Sequence, residues 1–220
     1  MENVVNQTEP VQVYAEATPN PRVMKLITNR ALLPGHLLEV YRNRDQGLSP
    51  LGTGFLEFSD LESVMISNSF VSLTRSAQAE WSELLPVLRD YLSHYLKASL
   101  PVVAPEWWAG VAESHRLDAS ASGSMNRDLP GDFQAEGDAA GRDTGIELKI
   151  EEILKDYIQP AVEQDGGAIQ FKSFDPVSGQ VRVVLRGACN GCPSASLTLK
   201  AGIENLLRRM VPQVREVVAD

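Results

Sequence analysis

The apolar positions along the chain change period several times, and each change marks an element. Val11, Val13 and Ala15 alternate with Gln12, Tyr14 and Glu16, which predicts a half-buried strand over residues 11–17. Thr18-Pro19-Asn20-Pro21 stops it, because each proline drives its predecessor away from helix and removes a backbone donor. Alternation resumes from Val23 to Thr28 and predicts a second strand pairing back on the first. Leu32 to Arg44 has no clear period beyond a Pro34-Gly35 turn. Ser49-Pro50 reads as the N-cap and first position of a short helix carrying Leu51, Phe55 and Phe58. Val64–Ile66 and Phe70–Thr74 read as strands around Ser67-Asn68-Ser69. Trp81, Leu84, Leu85, Leu88, Leu92, Tyr95 and Leu96 then repeat at helical spacing, with Pro86 expected near the first turn of that helix.

From Pro101 to Thr144 the periodicity disappears. Ala, Ser, Gly, Asp and Glu dominate, and the segment carries eight acidic against three basic side chains. Too little apolar area is available to offset an ordering entropy of about 1–2 kcal/mol per residue, which predicts a flexible, self-repelling linker. Trp107-Trp108 stands out in it, either as a short docking motif or as packing at the end of the preceding domain; packing is the simpler reading.

Pattern returns at residue 145. Ile146, Ile150, Ile153, Leu154, Tyr157, Ile158 and Ala161 trace one helical face, with Pro160 expected to loosen its last turn and Asp165-Gly166-Gly167 to end it. Ile169 and Phe171, then Val181, Val183 and Leu185, read as two strands around an Asp175–Gly179 hairpin turn. A helix from Pro193 to about Val211 and a strand over Val214–Val218 complete an order of helix, strand, strand, helix, strand. The expected fold class is therefore α+β, with two small α/β-sandwich-like domains at 1–100 and 145–220 joined by a flexible acidic linker at 101–144.

Charge narrows the partners. Net charge is −9 and the pI about 4.9. Phosphate backbones and anionic bilayers both require a concentrated positive face, so neither nucleic acid nor membrane is expected as a partner. No apolar run approaches the ~20 residues needed to span a bilayer. Residues 1–9 have neither a basic start nor an apolar stretch, so the expected location is cytoplasmic. His36, His94 and His115 are scattered, and each reads as an ordinary surface or core histidine.

The chemistry is concentrated in Gly187-Ala188-Cys189-Asn190-Gly191-Cys192-Pro193-Ser194, which holds both cysteines at a strand-to-helix junction. Three uses compete for a CxxC there. Thiol–disulfide exchange fits locally, since a helix N-terminus lowers a thiol pKa. However, the thioredoxin fold continues for a further hairpin and helix, and residues 193–220 offer one helix and one strand. Zinc needs four ligands, and residues 145–220 contain two thiols and no histidine. An iron–sulfur cluster also needs four ligands, usually thiolates. One chain supplies two, so two chains would have to meet with the cluster between them. The helix beginning at Pro193 would point its partial positive end at that anion, and an exposed bridging position suits donation. A thiol oxidoreductase using Cys189 and Cys192 stays open as the alternative.

Asp165-Gly166-Gly167, Gly187 to Ser194, and Thr198-Leu199-Lys200-Ala201-Gly202-Ile203-Glu204 together resemble the NifU C-terminal (Nfu) domain, over roughly residues 146–218. Thr18-Pro19-Asn20-Pro21 with Lys25, Ser49-Pro50-Leu51, and Trp81-Ser82-Glu83-Leu84-Leu85-Pro86 look, more loosely, like the domain that precedes it in Nfu proteins. The resemblance implies an iron–sulfur scaffold or carrier and not an enzyme. It implies a 4Fe-4S cluster (with a 2Fe-2S form left open) bridged across a homodimer by Cys189 and Cys192 and delivered to apo iron–sulfur proteins from upstream assembly machinery. The first domain, which lacks CxxC, is then expected to recognise targets or to stabilise the assembly. Ala168 stands where many members carry an acidic residue, with no expected effect on ligation.

Overall fold

The structure is a computed structural model that describes residues 9–43, 46–109, 144–190 and 193–219. The expected linker, His115 and Cys192 lie almost wholly or wholly outside these residues.

Strands β1 (Val13–Ala17), β2 (Val23–Thr28), β3 (Leu38–Tyr41), β4 (Leu61–Ile66) and β5 (Phe70–Arg75) form one antiparallel sheet in the order β1-β2-β5-β4-β3. Helices α1 (Pro50–Leu56) and α2 (Trp81–Lys97) cover one face of it. Leu26, Val40, Val64, Val71 and Leu73 project into this core and meet Leu51, Phe55, Leu88 and Leu92. Ser49 caps α1 as its sequence suggests: its hydroxyl oxygen accepts from the Gly52 N–H at 3.0 Å. Pro86 lies within α2, beyond the first turn that the pattern suggests for it. The carbonyl it leaves without a helical donor belongs to Ser82 on the exposed side of the helix, where water can satisfy it.

Two features of this half have no counterpart in the pattern. β3 exists because Leu38 to Tyr41 pair with Ile66 to Ser63, a nonlocal contact that a four-residue run does not announce. Residues 101–109 also belong to this core. Val103 is buried in it, the Tyr95 hydroxyl donates to the Pro101 carbonyl, and Trp107 packs against it while making an edge contact with His36. For the tryptophan pair the packing reading holds at Trp107, whereas Trp108 is 44% exposed with its ring edge-on to His36 and Trp107.

In the second half the order is helix, strand, strand, helix, strand. Helix α3 (Thr144–Ile153) runs into a π-helical turn at Leu154–Ile158 and then α4 (Gln159–Gln164). Pro160 lacks an N–H and cannot close the bond one turn back, so the ladder widens just before it. The Gln159 N–H accordingly reaches the Leu154 carbonyl, five residues earlier. β6 (Gly167–Asp175) and β7 (Gln180–Gly187) form the predicted hairpin. Helix α5 (Pro193–Met210) then crosses to β8 (Glu216–Ala219), which runs parallel to β7. Ile150, Val181, Val183, Ile203, Leu207 and Val217 form the core. Both halves are mixed helix and sheet, an α+β fold.

Candidate metal centre

Cys189 sits in the turn that leaves β7. Gly187, at φ 58°, takes the left-handed conformation that L-residues avoid, and the Cys189 and Asn190 amides then donate back to the Arg186 and Gly187 carbonyls at 3.3 and 3.1 Å. The chain that ends α4 closes on the same spot. Gly166, at φ 74°, reverses direction, and its carbonyl accepts from the Ala188 N–H at 3.2 Å. Gly167 pairs in register with Gly187, and a Cβ on Gly167 would overlap the Cys189 sulfur. The Asp165-Gly166-Gly167 motif is therefore more than a helix stop: its second glycine is the space in which the thiol lies.

Cys189 is 7% exposed. It borders a mainly apolar cavity of about 270 Å³ lined by Pro19, Ala161, Val162, Asp165, Ala188, Thr198 and Leu199. The expected solvent-near position of this thiol is thus corrected. Pro19 in that lining is supplied by the first half of the chain. Cys192 lies outside the described residues, so the structure places one of the two predicted ligands. Among the described residues no group of three or more His, Cys, Asp or Glu side chains is gathered as a metal set.

The first half holds this loop at several points that sequence periodicity does not flag. The Asn20 amide donates to the Asn190 carbonyl at 3.2 Å and to that of Ala188 at 3.4 Å. The Ser72 hydroxyl donates to the Gly166 carbonyl at 2.6 Å, and the Lys25 ammonium to that of Gln164 at 3.2 Å. Glu39, with its side chain 2% exposed, pairs with Arg186 at 3.3 Å and accepts from the Gly187 N–H at 3.4 Å. In the sequence Asn20 and Lys25 stand out only through a family resemblance, and Ser72 and Glu39 carry no signal at all.

Residues 150–218 match the NifU-like domain, and residues 13–99 match the domain described as scaffold protein Nfu/NifU N terminal. The chain belongs to the Nfu/NifU family. It is 27% identical to a NifU-like protein of Schizosaccharomyces pombe over 94% of this chain and 72% of that one. A mitochondrial NifU-like protein of Saccharomyces cerevisiae is 28% identical over 97% of this chain and 82% of its own length. The human protein named NFU1 iron-sulfur cluster scaffold homolog, mitochondrial, is 26% identical over 93% of this chain and 70% of its own. A solution structure of a NifU-like protein from S. cerevisiae superposes with a TM-score of 0.41 at 19% identity, covering 48% of this chain and 94% of that one.

These relatives overturn the cytoplasmic expectation, since those from S. cerevisiae, human and Arabidopsis thaliana are named mitochondrial. That expectation rested on the character of residues 1–9. Among the described residues no helix is long and apolar enough to cross a membrane.

Proposed function

We propose that this protein is an iron–sulfur cluster scaffold and carrier in which two copies hold one 4Fe-4S cluster through Cys189 and Cys192 of each, passing it to apo-proteins. It receives the cluster, or its iron and sulfide, from upstream assembly machinery, in the compartment named for its mitochondrial relatives. The cluster is cargo, and the chain's work is to bind and release it without a catalytic step of its own. The chain up to about residue 109 and the chain from about residue 144 act as separate domains, the second carrying the ligands.

The observation that carries this reading is the incomplete ligand set. Cys189 lies in a space cleared by glycine, yet no third or fourth ligand is gathered beside it among the described residues. The whole chain has two cysteines, so a centre ligated by four thiolates draws on a second copy of this loop. The N-terminal end of α5 adds favourable backbone charge for an anion, about 0.3–1 kcal/mol for each charge so placed. The human relative's name, an iron–sulfur cluster scaffold homolog, supports the same cargo.

Anaerobic reconstitution with ferrous iron and sulfide tests it. The expected product is a brown dimer with a broad visible absorption band and about four irons per two chains. Cys189→Ala is expected to abolish stable binding, because each dimer loses two of its four thiolates. Stoichiometric iron retained by that variant would show the ligand assignment to be wrong. A colourless monomer that reduces disulfides would instead establish the oxidoreductase.

A further inference from the structure

The outer face of the first sheet, away from α1 and α2, is unusual in what it buries. Asn20, Lys25, Glu39, Ser63 and Ser72 are all 8% exposed or less. Buried polar groups of this kind must find partners. Four of these five find them on the two segments that frame the thiol, residues 164–168 and 186–190. Met65 and Phe70, from the same face, close over Ala168.

The chemistry of this contact is selective in one respect. Its partners are the backbone carbonyls of Gln164, Gly166, Ala188 and Asn190 and the N–H of Gly187, plus the Arg186 guanidinium. The face therefore grips the conformation of the thiol loop and not its cysteine side chains. Asn20 is itself held in place. Its carboxamide oxygen accepts from the Arg22 N–H at 3.0 Å, and the Thr18 hydroxyl donates to its main-chain carbonyl at 2.9 Å. That fixed turn also sets Pro19 over the cavity beside Cys189.

We infer that the first domain is a removable cap on the thiol loop. Docked, it withholds Cys189 from a second chain; a cluster bridging two chains forms only when the cap has lifted. The inference rests on the two-chain reading of the cluster. The physical reason is steric. A bridging cluster must be reached by thiolates from a second loop, and Pro19 lines the cavity beside Cys189 while the Asn20 amide holds the carbonyls on either side of it, Ala188 and Asn190. Docking and bridging thus compete for one surface, and by linkage each opposes the other by the same factor. The contact suits a reversible cap, since beside the apolar patch of Met65, Phe70 and Ala168 it is made by hydrogen bonds that water can replace, each worth little net. Lifting the cap also bares Lys25, Glu39, Met65 and Phe70 in the loaded state only.

Asn20→Asp in the full-length protein is the test. The change keeps the size of the side chain and the oxygen that accepts from Arg22, but turns a donor into a carboxylate facing two carbonyls. The first readout needs no metal: alkylation of Cys189 in the apo-protein by iodoacetamide, followed by mass spectrometry. We expect a rise in rate of about tenfold, within the roughly 5–150-fold usual for coupled sites. Ser72→Ala, which removes a separate anchor, is expected to shift the rate the same way by a smaller factor. Rates unchanged in both folded variants would overturn the cap. The second readout is the fraction of chains recovered as cluster-loaded dimer at limiting iron. It is expected to rise in Asn20→Asp, and an equal or smaller fraction despite faster alkylation would overturn the competition. If neither wild type nor variant binds any cluster, the two-chain reading fails and the competition with it, while the alkylation result still decides whether the loop is capped.

Discussion

The first sheet is covered on both faces, whereas the second is covered on one. β2 alternates Leu26, facing α1 and α2, with Lys25 and Ile27 facing the other way, and both sets are largely hidden. β7 alternates Val181, Val183 and Leu185, buried against α3 to α5, with Arg182, Val184 and Arg186, which remain partly or fully exposed. From sequence the two strands read alike, as runs of alternating apolar positions. The polar side of the first sheet turns out to face the thiol loop of the second half. Alternation reports which residues share a face; it does not report whether water or another part of the chain lies against that face. A lysine or glutamate on the outer side is compatible with either, provided a partner is supplied, as Arg186 is for Glu39.

The sharpest way to break this comparison is through the core side of the first sheet. Leu73 is fully buried, and Leu73→Ala is expected to cost about 2–5 kcal/mol by leaving a cavity. If the two halves unfold independently, thermal unfolding followed by circular dichroism will show an early transition for the first half and a later one for the second. A single early transition would show the halves to be one cooperative unit.

A smaller effect sharpens the loop side. In Gly167→Ala the new methyl overlaps the Cys189 sulfur, and overpacking of this kind costs typically ~1–3 kcal/mol. We expect faster alkylation of Cys189 and less cluster recovered after reconstitution. Gly202→Ala serves as its control, because nothing lies within 4 Å of the added carbon and a helical glycine is being replaced. That change should stabilise by roughly 0.5–1 kcal/mol and leave the loop alone. Equal behaviour of the two variants would remove Gly167 from the site.

The smallest effect distinguishes the halves by pH. Burial, with Tyr95 and Glu57 nearby, pushes the Tyr91 phenol up to about 12, against an ordinary value of 10.0. Ionisation is therefore easier in the unfolded chain. The stability that the neutral phenol contributes is complete below pH 10 and is lost as pH rises toward 12. Tyr91 packs against Phe55 and Phe58, so the loss falls on the first half. Denaturant midpoints measured across that window should decline in wild type and stay flatter in Tyr91→Phe.

Most elements are legible in the sequence because their causes are local. Ser49-Pro50 starts α1, Asp175–Gly179 turns the second hairpin, and the apolar repeat from Trp81 to Leu96 writes out α2. β3 is not legible, because four residues with no clear period become a strand only by pairing with β4. Nor is the tail of the first core, where Val103 and Trp107 belong to a stretch whose composition is that of a linker.

By itself the sequence determined the chemistry available to this protein: two thiols at a strand-to-helix junction, too few for a closed four-ligand centre, in a chain with a family's order of motifs. That follows from counting and spacing, which are properties of the chain alone. Only the tertiary structure decided that Gly167 makes room for Cys189, and that Asn20, Ser72 and Glu39 close over the loop carrying it. Those partners lie about a hundred residues or more from the loop except for Gly167, and their hydrogen bonds run mainly to backbone atoms. Every residue has the same backbone groups, so no side-chain pattern could have named the partner in advance.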